Sequence, residues 1–157
     1  MVKCESSTRF SSIKNPIVLT QTDTTVGFLS QDAAKLYEIK SRPAAKPLIK
    51  VYANFKSLLE DSKRVAKKDK NIVRRLKKTT FIIKTNSFRV AKTPLKSQIF
   101  RDAHWFYSTS ANRSGENYDR EFCEAKADII IEDVQGLSEK KSSTLIKLGR
   151  SKRRRLR

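Results

Sequence analysis

Tyr107-Ser108-Thr109-Ser110-Ala111-Asn112-Arg113-Ser114-Gly115-Glu116 is the stretch from which the rest of the chain can be read. It places four hydroxyl or amide side chains within the five residues Ser108 to Asn112, directly after the apolar run Trp105-Phe106-Tyr107, and breaks at Ser114-Gly115. Small polar groups at the end of a buried strand, followed by a turn, can offer a ligand several short hydrogen bonds. The loop Lys40-Ser41-Arg42-Pro43-Ala44-Ala45-Lys46-Pro47-Leu48 strengthens that reading. It carries three cations, and Pro43 and Pro47 restrict its backbone. Arg binds phosphate bidentately and Lys binds it as a point charge.

Two further segments belong with these. Thr22-Asp23-Thr24-Thr25 follows an apolar run and sets hydroxyls and one carboxylate at a strand end, a favoured ligand position in α/β sheets. Arg89 lies in the apolar strand Phe88-Arg89-Val90-Ala91. An unpaired guanidinium is costly there, so Arg89 either faces solvent or meets a carboxylate or a phosphate. No Walker loop, GxGxxG, HExxH or paired-cysteine metal motif is present. A nucleotide site here must therefore use something other than a glycine-rich loop.

A chain of 157 residues suits one domain, expected over 1–150 with residues 1–15 loosely ordered and 151–157 a basic tail. No apolar run approaches the roughly 20 residues that cross a bilayer, and Met1-Val2-Lys3-Cys4-Glu5 lacks the apolar core of a signal peptide, so a cytoplasmic protein without membrane contact is expected. Cys4 and Cys123 are far apart and read as reduced thiols. The lone histidine, His104, reads as structural or surface-exposed. The net charge of +19 favours polyanions. Much of it sits in two blocks, Lys63 to Lys78 and Arg150 to Arg157, which point to RNA contact.

Strands are expected at Pro16–Thr20, Leu48–Tyr52, Thr79–Lys84, Phe88–Ala91, Trp105–Ser108, Ile129–Ile131 and Leu145–Ile146. Thr85-Asn86-Ser87 would join the third to the fourth. Ser30 is placed to cap a helix carrying Ala33, Leu36, Tyr37 and Lys40, which Pro43 stops. Asn54 and Asp119 cap two more helices, and Pro94 opens another through Leu95, Ile99 and Phe100. Ile72, Val73 and Leu76 form the apolar stripe of the basic segment. The mixture predicts an α/β or α+β fold, a mixed sheet covered by helices.

Five segments, in order, resemble the YrdC-type threonylcarbamoyl-adenylate synthase family. They are Gln21-Thr22-Asp23-Thr24-Thr25-Val26-Gly27-Phe28, Lys40 to Leu48, Arg89-Val90-Ala91, Ser108 to Gly115, and Ser143-Thr144-Leu145-Ile146. The resemblance spans about residues 17 to 148. It implies a twisted open mixed sheet flanked by helices, with a concave basic surface. It also implies a synthase that joins L-threonine, bicarbonate and ATP into threonylcarbamoyl-AMP with release of pyrophosphate. A transferase complex would then pass the group to adenosine 37 of tRNA. The alternative is a non-catalytic RNA-binding module of the same fold.

On the matching positions, Lys40, Arg42 and Lys46 would hold the ATP phosphates and neutralise charge at the reacting phosphorus, which is electrostatic catalysis. Thr85 and Asn112 would complete the ATP site, with Mg²⁺ entering on the phosphates and no metal ligands of the protein's own. Thr24, Arg89, Ser110 and Ser143 would bind threonine, Arg89 through its carboxylate. The chain departs from the family pattern at Gln21, where a proline is usual, and at Val26, where a tyrosine is usual. The span from Thr24 to Arg42 is shortened, and Lys77-Lys78-Thr79-Thr80-Phe81 stands in place of P-G-P-x-T. For the arginine that follows the S-T strand in the family, Arg150 and Arg153 are candidates.

Overall fold

β-Branched and aromatic runs become strands because their side chains pack on a pleated surface. The computed structural model describes residues 14–41, 47–61, 64–91 and 103–157. Among these, nine strands form one sheet: β1 (Val18–Gln21), β2 (Val26–Ser30), β3 (Ile49–Tyr52), β4 (Thr79–Ile83), β5 (Asn86–Val90), β6 (Trp105–Ser110), β7 (Ile129–Ile131), β8 (Thr144–Leu148) and β9 (Arg153–Arg155). The order is β7-β1-β2-β6-β3-β5-β4-β8-β9. The pairs β1/β7, β3/β5 and β4/β8 are parallel and the others antiparallel, so the expected mixed sheet is present. No described helix is long and apolar enough to cross a membrane.

Strand alternation sorts side chains onto two faces. Leu19, Phe28, Phe88 and Phe81 share one face by register. That face buries two apolar clusters. One packs Leu36 and Cys123 against β1 and β2, and the other packs Leu58 and Val73 against β3, β4 and β5. These contacts bring α1 (Ala33–Ile39), α2 (Phe55–Glu60), α3 (Lys70–Arg75) and α4 (Arg120–Lys126) to the same side. The opposite face carries a smaller cluster of Val18, Leu29 and Phe106, and with it Gly27, Ser108, Ser110, Arg89 and Thr80. No described helix packs on these residues, and the polar side chains concentrate there.

The caps explain where helices begin. Asn54 accepts from Ser57 N and Asp119 from Phe122 N, as expected. The first helix differs. Asp32, not Ser30, is its cap, accepting from Ala34 N and Lys35 N. Ser30 ends β2, donates its hydroxyl to Asn15 O and accepts from Asp32 N, so it supports the cap from one step behind. Leu76 also departs from expectation. Its backbone turns extended after Arg75, which ends the helical stripe and leaves Leu76 exposed while Val73 stays buried.

The β4–β5 turn is Lys84-Thr85, with Lys84 at φ 55°, and Asn86 and Ser87 already belong to β5. Residues 151–157, expected as a tail, carry β9, which pairs with β8 and closes the sheet edge. The pairing needs only backbone groups, so three arginines in a row are no obstacle to it. The helix expected from Pro94, and Cys4, lie outside the described residues. His104 is exposed, and its carbonyl accepts from Ala53 N. Cys123 is buried, and desolvation pushes its thiol pKa up.

Candidate functional site

Arg89 organises the helix-free face. It is 5% exposed, and its guanidinium is held by three side chains. Nη1 donates to Asp23 Oδ1 and to Thr24 Oγ1, both at 2.7 Å. Nη2 donates to Thr80 Oγ1 at 3.0 Å, and Nε reaches the same oxygen at 3.4 Å. Thr80 in turn shares a 2.9 Å hydrogen bond with Ser143 Oγ. The β1–β2 loop therefore comes back over this face to meet a strand three places away in the sheet. Thr24, Arg89 and Ser143, expected together, are joined in one buried network through Thr80.

Two members of this network were not singled out from the sequence. Asp23 was visible only as a carboxylate in a polar turn, and Thr80 only as a strand residue. The carboxylate answers what Arg89 faces. The pair is nearly fully buried, at 6% and 13% side-chain exposure, where breaking it by removing one partner costs about 3–5 kcal/mol. Asp23 Oδ2 is buried and has no hydrogen-bond partner among the described residues. Such orphans are rare enough in folded proteins to call for an explanation.

The second group forms at the end of β6. Lys40 is 3% exposed, and its ammonium donates to Ser110 O at 2.9 Å and to both Asn112 O and Asn112 Oδ1 at 2.5 Å. Those contacts match the three donors of an ammonium. Ser110 Oγ also donates to Asn112 Oδ1, and Asn112 Nδ2 donates to Glu116 O. Lys40 was expected on ATP phosphates. Here it fastens the Ser110–Asn112 turn, because burying an ammonium demands acceptors and that turn supplies them. A cleft of about 190 Å³ opens beside it, lined among others by Thr25, Ser110, Asn112, Tyr118 and Ser142. Burial raises the Tyr118 phenol pKa, and its hydroxyl is another buried group without a partner among the described residues.

Thr85 belongs to a third place. It lines a cleft of about 570 Å³ with Tyr37, Pro47, Ile82, Lys84, Asn86 and Ser87. Register relates it to Ser110. Extending the β3–β6 pairing sets Pro47 opposite Ser110, and extending β3–β5 sets Pro47 beside Thr85. β6 and β5 flank β3, so the end of β6 that carries Ser110 and the turn that carries Thr85 lie on either side of the segment leading into β3. Arg42 and Lys46 lie outside the described residues. Of the residues that flank them, Lys40 is tied to Ser110 and Asn112, and Pro47 lines the same cleft as Thr85.

The C-terminal arginines divide. Arg153 donates to Asp69 Oδ1 at 2.7 Å and to Lys68 O at 2.6 Å on the helix side. Arg157 instead donates from Nε to Ser143 O at 3.2 Å, so its guanidinium borders the buried network.

The sequence matches the Sua5/YciO/YrdC family model, described as telomere recombination, over residues 13–157. The chain belongs to that family. Its fold is similar to that of P. abyssi Sua5 complexed with L-threonine, at 21% identity and a TM-score of 0.74, covering 90% of this chain and 50% of that one. It is similar to E. coli YciO at 17% identity and a TM-score of 0.70, covering 91% and 82%. It is also similar to full-length HypF in a phosphate- and nucleotide-bound form, at 16% identity and a TM-score of 0.69, covering 90% and 26%. The chain thus spans about half the length of the Sua5 structure. No curated protein sequence matches it.

Proposed function

We propose that the chain makes L-threonylcarbamoyl-AMP and pyrophosphate from L-threonine, bicarbonate and MgATP, as a nucleotidyltransferase acting in tRNA modification. The observation that carries this reading is the Asp23–Arg89 pair: a buried guanidinium beside a carboxylate oxygen that has no donor among the described residues. Among the described residues Arg89 uses four of its five N–H donors and Asp23 Oδ2 accepts from none, so a zwitterionic amino acid can meet both. Its carboxylate goes to Arg89, and its amine donates to Asp23 Oδ2. Thr24 and Ser143 border the same site, and Ser110 lies at the adjoining turn. Family membership supports the reading, as does the fold shared with a Sua5 that was complexed with L-threonine.

The chemistry then follows from placement. Bicarbonate takes a proton from the threonine ammonium and breaks down to CO₂ and water; the free amine nitrogen bonds to the CO₂ carbon and gives its second proton to solvent, leaving a carbamate. A carbamate oxygen attacks the α-phosphorus of ATP, and the bond to pyrophosphate breaks. The protein forms no covalent intermediate. Its work is charge neutralisation and positioning. Arg42 and Lys46 supply the cations for the phosphates. Lys40 acts one step removed, by holding Asn112 and Ser110 where they meet the nucleotide and the amino acid. Thr85 and its cleft take the nucleotide, and the volume falls in the range of small-molecule sites.

The test is pyrophosphate release by the purified chain. Release should require threonine and bicarbonate together. Release without threonine, or calorimetry showing binding of neither ATP nor threonine, would remove this reading. The second reading, a non-catalytic RNA-binding module, is favoured by the net charge of +19 and would show tRNA binding with no pyrophosphate release.

A further inference from the structure

The two basic blocks are separate in sequence and joined in space. Residues 64–78 and 147–157 hold fifteen of the 35 Lys and Arg residues and a single acid, Asp69. That acid is 1% exposed and spends its charge on Arg153. Two backbone acceptors complete the join: Lys68 Nζ donates to Arg150 O, and Arg153 Nη2 to Lys68 O. One carboxylate thus pins the 3₁₀ turn Lys67–Asp69 to β9, and no other acid in either block offsets the remaining cations.

β9 is the last strand of the described sheet. Its register with β8 sends Arg153 and Arg155 to the helix side, and Arg154 with Lys147 to the helix-free side. At about 3.4 Å per residue, Lys152 to Arg157 runs roughly 17 Å. The strip begins at Arg150 and Lys152 and ends where Arg157 meets Ser143 O and where Lys78 O accepts from Thr144 N. Lys78, Lys147, Lys152, Arg154 and Arg155 are exposed along it.

We infer that this edge is a docking surface for the phosphate backbone of a folded RNA, lying along β9 and leading to the Ser143 side of the site. Cations on both faces of a rigid strand suit a ligand that presents phosphates on two sides of a groove, and RNA of A-form geometry is recognised largely through shape and phosphate. An anionic membrane is disfavoured by the same residues. Surface-bound helices need an apolar face to insert, and α3 is six residues long with Val73 committed to the core. The choice of RNA over DNA rests on the function proposed above. The surface itself does not, because it is argued from charge and register.

The experiment measures tRNA binding by fluorescence anisotropy, without ATP or threonine, across a salt series. Wild type is compared with Arg154→Glu/Arg155→Glu and, as a second variant outside β9, Lys78→Glu/Lys147→Glu. Lys56→Glu/Lys126→Glu, which lies on α2 and α4, serves as the charge control. Each edge variant should weaken tRNA binding at least tenfold and lower the salt slope by about 1.4–1.8, from two lost phosphate contacts. The control should fall far less. Equal losses in the edge variants and the control would reduce the effect to net charge and overturn the proposal. So would unchanged binding in both edge variants, a preference for phosphatidylserine vesicles over tRNA, or tighter binding to duplex DNA of equal length. Pyrophosphate release is read separately, so the surface can fail while the enzyme stands, and the reverse.

Discussion

Arg89 Nη1 and Asp23 Oδ1 lie 2.7 Å apart although 66 residues separate them in the chain, and this contact ties the β1–β2 loop to β5. Arg89→Ala would leave a buried carboxylate unpaired and should cost about 3–5 kcal/mol in denaturant unfolding. Arg89→Lys keeps the charge but loses the fork that serves Asp23, Thr24 and Thr80 together. Threonine affinity, measured by calorimetry on folded protein, should stay lost in the Lys variant. Recovery of wild-type affinity there would show that charge alone suffices.

Asp23→Asn separates two roles of the same side chain. The amide oxygen can still accept from Arg89, but Oδ2 becomes an NH₂ group that cannot accept from an amine. Folding should therefore survive better than in Arg89→Ala, while threonine binding falls by tenfold or more. Equal threonine affinity in Asp23→Asn and wild type would remove Oδ2 from the site.

Lys40→Met removes the ammonium that gathers Ser110 O, Asn112 O and Asn112 Oδ1. Water can reach part of this turn, so the stability loss should stay near 1–3 kcal/mol. Asn112→Ala should reproduce its effect on ATP binding, and the double variant should add little, because both act through the same turn. Full additivity in the double variant would give Lys40 a separate contact with the nucleotide.

Gly27 is set by space. A Cβ there would meet Thr109 O at 2.9 Å and Thr22 Cγ2 at 3.2 Å, between two paired strands. Gly27→Ala should destabilise by about 1–3 kcal/mol and should loosen the Thr22–Thr25 loop. Thermal unfolding measures the first effect and threonine calorimetry the second. A variant as stable as wild type would mean that the strands part without cost.

Tyr52 gives the alkaline limit. Burial first, then the hydrogen bond to Asp61 at 2.5 Å, raises its phenol well above the ordinary value of 10.0. The Lys50 ammonium, 2.8 Å from the same carboxylate and 3.7 Å from the Trp105 ring centre, completes the cluster. The folded state holds the phenol neutral, whereas the unfolded chain releases its proton near pH 10. The stabilising contribution is thus present in full below pH 10 and declines as pH rises further. Chemical denaturation from pH 8 to 11 should show a steeper fall for wild type than for Tyr52→Phe. Parallel curves would exclude Tyr52 as the cause.

Much of the sheet was legible because its strands are short apolar runs bounded by turns. The Asn54 and Asp119 caps were legible for the same local reason. Ser30 misled because a serine that ends a strand looks the same, in sequence, as one that starts a helix. The pairing of Arg89 with Asp23 was out of reach, since no local rule links positions so distant. β9 was hidden differently. Three consecutive arginines carry no alternation of polarity, so the strand exists only through its partner β8. The contacts of Lys40 also needed the fold, because nothing local in sequence announces that its ammonium is buried against Ser110 O and Asn112.

The turn from Gly149 to Lys152, closed by Gly149 N donating to Lys152 O, fixes the phase of everything after it. Strand parity is binary, so inserting one residue in that turn would exchange the two sides of β9. Arg153 and Arg155 would swing to the face that carries Ser143, and Arg154 would take the helix side. Asp69 would lose its counter-charge in the same step. A change of length in four residues, with no change in composition elsewhere, would redistribute the electrostatic field of the whole sheet edge.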